Sequence, residues 1–147
     1  MTPDQIALVR TSFDKVRPIS EEAARLVYAR LFEIAPEVRP LFKGDMAEQG
    51  RKLIATLAVV VNGIDDLPTL KPAVERLGRR HVSYGVTSQH FGPVGAALIW
   101  TLEQGLGADF TPEVRAAWLD AYGILAAVMQ EAASTADIEG SVMRNAS

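Results

Sequence analysis

The sequence holds no cysteine in its 147 residues. That single absence excludes disulfide frameworks, zinc–thiolate sites, iron–sulfur clusters and cysteine nucleophiles together. Histidine is nearly as scarce: with His81 and His90 alone, a three-histidine zinc centre cannot be assembled. Positive charge is in deficit as well. Fifteen Lys and Arg against eighteen Asp and Glu give a net charge of −3. The cations read as dispersed among the acids, without the basic footprint of a nucleic-acid-binding protein. The longest apolar run, Ile54 to Val61 interrupted by Thr56, falls far short of the ~20 helical residues that cross a bilayer. The N-terminus has neither the basic start nor the apolar stretch of a signal peptide. These absences lead us to expect a cytoplasmic protein with no membrane span and no nucleic-acid partner.

What is present is an ordinary globular composition, 48% hydrophobic and 22% charged, at a length suited to one domain. No repeat, low-complexity tract or linker divides it. The expectation is a single domain over residues 1–147, with a core of about 5–133 and a frayed C-terminal tail, where the composition turns small and polar. No block shows the period-2 alternation of a half-buried strand, and breaker residues separate stretches of helical periodicity. The fold class is therefore all-α.

Thr2, Pro3 and Gln5 make a capping box with proline at the first helical position, followed by the stripe Ile6, Val9, Phe13 and Val16; this helix should end near Pro18. Ser20 is the expected cap of a second helix with Ala24, Tyr28, Leu31, Phe32 and Ala35 inward, ended by Pro36. A short helical turn from Glu37 to Phe42 follows. A third helix from about Met46 to Asn62 turns Met46, Gln49, Leu53, Leu57 and Val60 inward. After an Asp65–Pro68 loop, Leu70, Val74, Leu77 and His81 recur at spacings of four, three and four. Thr87 and Ser88 should start a helix lined by Phe91, Val94, Leu98 and Leu102. Thr111-Pro112 should start the last, lined by Val114, Trp118, Ala121, Tyr122, Leu125 and Val128.

Three polar residues, Tyr28, Gln49 and His81, thus sit on the apolar faces of three different helices. Each alone has an ordinary explanation: a core histidine bonded to a carbonyl one turn earlier, a boundary glutamine, a tyrosine packing its ring. Together they suggest a filled cavity, because buried polar groups left unpaired cost roughly 1 to 3 kcal/mol each.

Over roughly residues 5 to 130 the sequence resembles the globin family, and specifically bacterial single-domain hemoglobins that look like the heme domain of flavohemoglobins. The resemblance is carried by Leu26-Val27-Tyr28 through Pro36-Glu37, by Leu41-Phe42, by Ile64-Asp65-Asp66-Leu67-Pro68 and Pro72-Ala73-Val74-Glu75, by His81, and by Trp118 through Leu125. Gln49 and His81 are thirty-two residues apart, the separation this family uses between its distal and proximal heme residues. The resemblance implies a globin fold around heme b, held without thioether bonds, with His81 as the proximal iron ligand. It implies that Phe42 packs on the porphyrin face, that Tyr28 and Gln49 form the distal pair, and that Leu53 walls the gas site. Both distal side chains are neutral hydrogen-bond donors, which favour bound dioxygen, polarised toward superoxide, over less polar carbon monoxide.

At the rim, Arg80 and Lys52 are candidate partners of the heme carboxylates. Leu77, Tyr84, Val86, Phe91 and Val94 would pave the proximal side, with Tyr122 and Leu125 supporting it from the last helix. His90 reads as an ordinary surface or boundary residue near a helix start. In flavohemoglobins a tyrosine and a glutamate polarise the proximal histidine; here the matching positions are Phe91 and Ala133, and Glu131 is two residues off register. No glycine-rich dinucleotide fingerprint appears, and no residues remain after the globin segment for a flavin domain, so reduction is expected from an external reductase. The functional expectation is reversible binding of dioxygen, with carbon monoxide and nitric oxide as further ligands. The alternative is a nitric oxide dioxygenase served by that reductase.

Overall fold

The structure is a computed structural model that describes the backbone of residues 1–42, 44–83 and 90–146, and the side chains of 1–42, 44–80 and 90–132. Among the described residues all regular structure is helical. Six α-helices follow one another: α1 (Pro3–Val16), α2 (Ser20–Ile34), α3 (Met46–Gly63), α4 (Leu67–Ser83), α5 (Phe91–Leu106) and α6 (Pro112–Ala146). Short 3-10 turns at Arg17–Ile19, Pro36–Leu41 and Gly107–Asp109 connect them.

Local chemistry accounts for most of the boundaries. The Thr2 side chain accepts from the Gln5 N–H while Gln5 bonds back to Thr2, the capping box the sequence foretells. Asp45 caps α3 by accepting from the Ala47 N–H, and Thr111 caps α6 by accepting from the Val114 N–H. Gly107, at φ +55°, takes the left-handed conformation that stops α5 and that suits glycine. Ser20 departs from expectation. Its backbone is already right-handed helical (φ −60°, ψ −37°) and its N–H bonds Arg17 O, whereas a capping residue needs extended backbone to aim its hydroxyl. Ile19 occupies the cap position instead, with no side-chain cap. The expected Asp65–Pro68 loop is shorter too, since α4 already includes Leu67 and Pro68. The Thr87-Ser88 helix start lies outside the described residues; described helix resumes with α5 at Phe91.

Helix α2 packs across α5, and α4 and α1 both pack on α6. The main core lies between them and contains Val9, Phe13, Leu31, Ala97, Leu102 and Trp118. Among the described residues, a buried polar linkage in this core joins α6 to α1. The Trp118 indole Nε1 donates to Ser12 Oγ across 2.8 Å, and Ser12 Oγ in turn donates to the carbonyls of Leu8 and Val9. Where α3 ends, the Arg10 guanidinium donates to the otherwise unmatched carbonyls of Val61 and Asn62 and pairs with Asp65 at 2.9 Å. That contact fixes the α3–α4 corner against α1.

Candidate cofactor site

Helices α3 and α4 meet at a corner where Gly63 faces Leu70; a Cβ at Gly63 would sit 3.2 Å from Leu70 Cδ1. From there they lean on different partners. Helix α3 crosses α2 at Gly50, where an added Cβ would come within 2.9 Å of Ala24 Cβ. Helix α4 lies on α6 at Gly78, where it would come within 2.6 Å of the Met129 carbonyl oxygen. These glycines bring each pair of backbones close and leave α3 and α4 in little contact with each other.

The apolar side chains follow the same division. A large cluster built on α1, α2, α5 and α6 has Tyr28, Phe42, Leu53, Val94 and Tyr122 on its half-buried margin. A separate, smaller cluster of Val60, Leu70, Val74 and Met129 has Leu77, Phe91, Leu125 and Val128 on its margin. Large apolar side chains that stop half-buried along both margins leave apolar area that a bound group could still cover, worth about 25 cal/mol per Å² once buried.

On the margin of the large cluster, Tyr28 and Phe32 stand one turn apart on α2 and stack at 6.3 Å between ring centroids. Phe42, which follows the Pro36–Leu41 turn, presents its edge to both, at 5.2 Å from Tyr28 and 5.4 Å from Phe32. Edge-to-face geometry of this kind adds roughly 0.5 to 1.5 kcal/mol beyond burial. The Arg39 guanidinium covers Phe32 from solvent, 4.9 Å from its centroid. The three rings hold the Tyr28 phenol in place, and its hydroxyl donates to the Gln49 main-chain carbonyl at 3.4 Å. Burial pushes the Tyr28 phenol up to about 12, so it stays a protonated donor at neutral pH. Gln49 and Leu53, one turn apart on α3, are both half-buried. The structure thus brings Tyr28, Phe42 and the Gln49 main chain together, with Leu53 one turn further along α3. Phe32, read from the sequence only as core, belongs with them; its position four residues after Tyr28 on the same stripe is the signal that could have found it.

Of the residues expected on the proximal side, Leu77 is half-buried on α4, and the backbone of His81 lies in the last turn of the same helix. The His81 side chain and the expected site residues Tyr84 and Val86 lie outside the described residues. Phe91, Val94, Tyr122 and Leu125 are all half-buried. Tyr122 does more than pave the wall. Its hydroxyl donates to the Phe91 carbonyl and is bonded by the Gly95 backbone, and burial pushes this phenol up to about 12. A Cβ on Gly95 would lie 2.5 Å from the Tyr122 ring, so glycine is what admits the ring to the first turn of α5. At the rim, Arg80 is exposed, and exposed Lys52 lies 3.8 Å from Glu48 on its own helix. His90 sits at the start of α5, and Glu131 is exposed.

Among the described residues there is no group of three His, Asp or Glu side chains able to hold a metal ion, and no buried side-chain polar atom lacks a partner. The described polar groups of the site are the Tyr28 phenol and the half-buried Gln49, set among half-buried apolar side chains. Fold and site define an all-helical protein with an aromatic cluster on a half-buried apolar margin.

Comparison with known proteins agrees. The Globin family model matches residues 25–129, and the chain belongs to the globin family, with an all-α globin fold. It is 30% identical over 138 residues to neuroglobin from Chaenocephalus aceratus, covering 84% of this chain and 87% of that one. It is 35% identical over 129 residues to a flavohemoprotein of Bordetella parapertussis. That match takes in 86% of this chain but 32% of the flavohemoprotein, so the chain spans about a third of that relative. Among solved structures, a bacterial globin from Campylobacter jejuni has the same fold, with a TM-score of 0.79 at 24% identity over 91% of this chain and 97% of that one. An engineered carbene transferase derived from a candidate nitric oxide dioxygenase of Rhodothermus marinus gives 0.86 at 27% identity over 96% and 99%. The chain is a globin that resembles the heme domain of flavohemoglobins, and membership of the family implies heme binding. No described helix is long and apolar enough to cross a membrane.

Proposed function

We propose that this globin binds one heme b noncovalently, with His81 as proximal ligand, and captures dioxygen reversibly beneath Tyr28, as a cytoplasmic oxygen-binding protein. The observation that carries the reading is the division of the apolar side chains into two half-buried margins, with a protonated phenol over one and the His81 helix forming part of the other. Heme supplies a ferrous iron with an open position for a diatomic gas. The chain's own residues do the rest. Phe42 and Leu53 exclude water from the distal face, Tyr28 offers a proton to the gas, and Gln49 offers a second donor. The reading assigns Leu77, Phe91, Val94, Tyr122 and Leu125, with Tyr84 and Val86, to the proximal wall, and Arg80 and Lys52 to the heme carboxylates.

The test is an absorption spectrum of the purified protein, oxidised, reduced, and reduced under carbon monoxide, for the wild type and His81→Gly. The reading requires one heme per chain in the wild type, and in His81→Gly a loss of heme that added imidazole restores. Wild-type heme content and an unchanged ferrous spectrum in His81→Gly would assign the ligand to another residue.

A second reading, nitric oxide dioxygenase, is favoured by the 35% identity to a flavohemoprotein and the likeness to the Rhodothermus marinus protein. In that reaction nitric oxide, dioxygen and one electron give nitrate, and the electron comes from a reductase. Nitrate formed in step with nitric oxide consumed, over many turnovers with a supplied reductase, supports it. A single turnover that halts with oxidised heme leaves gas binding as the function.

A further inference from the structure

Cations on most of the described surface have acidic neighbours. Six of them form ion pairs within 4 Å, such as Arg10 with Asp65, Lys15 with Asp109 and Arg30 with Glu33. Such exposed pairs add little stability, but they cancel the local field. The outer face of α4 is different. Lys71, Arg76 and Arg79 are exposed, and none of them has an acid within ion-pair distance among the described residues. The residues Leu67–Ser83 carry four cations, Arg80 being the fourth, and the single acid Glu75. This helix therefore has a charge of +3 in a chain whose total is −3, so the remainder carries −6. Along the axis Lys71 and Arg76 are about 7.5 Å apart and Arg76 and Arg79 about 4.5 Å, so each neighbouring pair lies within the ~8 Å Debye length at physiological ionic strength and the charges form one continuous patch. The inward stripe Leu70, Val74 and Leu77 lies on the opposite side of the helix. What reads as dispersed charge along the sequence is collected by the fold on the back of the proximal helix.

We propose that the outward face of α4 is the docking surface for an acidic electron-donor protein. The proposal rests on the reading that this helix holds heme at His81. An acidic partner is repelled by the net negative remainder and drawn to this face, which selects an orientation as well as a partner. The basic face ends at Arg79, two residues before the expected iron ligand, so under this reading a single helix separates the docked donor from the heme. With a flavin donor one electron passes: the anionic hydroquinone becomes the neutral semiquinone, ferric heme becomes ferrous, and no proton need move.

The probe is a flavodoxin, a strongly acidic flavin protein. Two triple variants carry equal charge changes, Lys71→Glu/Arg76→Glu/Arg79→Glu on α4 and Lys15→Glu/Arg25→Glu/Arg115→Glu elsewhere. A third, Lys71→Gln/Arg76→Gln/Arg79→Gln, removes the charge without reversing it. Fluorescence anisotropy of labelled oxidised flavodoxin reads association without electron transfer and is independent of heme. Stopped-flow reduction by flavodoxin hydroquinone reads the productive complex. At about 20 mM ionic strength the α4 reversal should weaken association and slow reduction at least 10-fold, the Gln variant by less, and the control by under 3-fold, with all differences vanishing near 0.5 M salt. Equal losses in the two reversals would reduce the effect to net charge, and no loss in the α4 variants would place docking elsewhere; either result overturns the proposal. The reduced carbon monoxide spectrum of the same preparations separates its failure from failure of the heme reading.

Discussion

The Tyr28 hydroxyl reaches the Gln49 main-chain carbonyl across 3.4 Å and so ties α2 to the first turn of α3. Hydrogen bonds between oxygens are usually 2.5 to 3.0 Å long, so this one holds the phenol loosely. A donor fixed by the Phe32 and Phe42 rings and weakly engaged at its tip is poised to turn to a stronger acceptor. Both distal residues the sequence nominates meet in this contact, but through the backbone of Gln49 rather than its amide.

The two buried phenols make stability sensitive to alkali. Tyr28 and Tyr122 are both raised from 10.0 to about 12 in the folded protein. The unfolded chain therefore releases these protons first, and the folded state keeps its full stability below pH 10 and loses it as pH rises toward 12. Two pKa units correspond to an upper bound of about 2.7 kcal/mol per phenol. Urea unfolding between pH 9 and 12 should show this fall, and the Tyr28→Phe/Tyr122→Phe double variant should flatten it. An equally steep fall in the double variant would assign the alkaline transition to other groups.

The glycines separate cleanly by what surrounds them. Gly78→Ala would drive a methyl group into the Met129 main chain, which cannot swing aside, so it should cost about 1 to 3 kcal/mol or more. Gly123→Ala, on the exposed side of α6 with nothing within 4 Å, should stabilise by about 0.5 to 1 kcal/mol through helix propensity. Denaturant midpoints for the two variants should move in opposite directions. A neutral Gly78→Ala would mean that α4 and α6 are not as close as described.

Trp118 and Ser12 supply a third test. Ser12→Ala removes the acceptor from a buried indole N–H and should cost about 1 to 3 kcal/mol. The additional Trp118→Phe change removes the orphaned donor, so the double variant should be destabilised by less than the sum of the single changes. Strict additivity in a double-mutant cycle would deny the bond its energetic role.

Much of this was legible in the sequence because periodicity and capping are local. The Thr2–Gln5 box and the inward positions of Tyr28, Gln49 and Leu77 follow from spacing alone. Ser20 misled because serine before a helical stripe has the chemistry of a cap, and nothing local reveals that the Arg17–Ile19 turn carries helical backbone straight into α2. The close approaches at Gly50, Gly78 and Gly95 were invisible for a related reason: a glycine inside a helical pattern shows what is missing but not which distant backbone or ring fills the space. The aromatic triad was half visible. Tyr28 and Phe32 share a stripe, but only the fold brings Phe42 to their edges. The basic face of α4 needed the structure, because charge pairing depends on neighbours from other helices.

The central claim is that the Tyr28 hydroxyl stabilises bound dioxygen as a hydrogen-bond donor. A bond to a partly anionic acceptor in a water-poor pocket is worth roughly 1.5 to 3 kcal/mol. Tyr28→Phe keeps the ring, and with it the packing against Phe32 and Phe42, while deleting the donor. Stopped-flow dissociation should therefore show oxygen release about 10- to 100-fold faster than in the wild type, with carbon monoxide release changed far less, and Gln49→Leu should give the smaller oxygen effect. Equal acceleration of both gases in Tyr28→Phe would show that the residue acts as a steric gate, and the account of the distal pocket would be wrong.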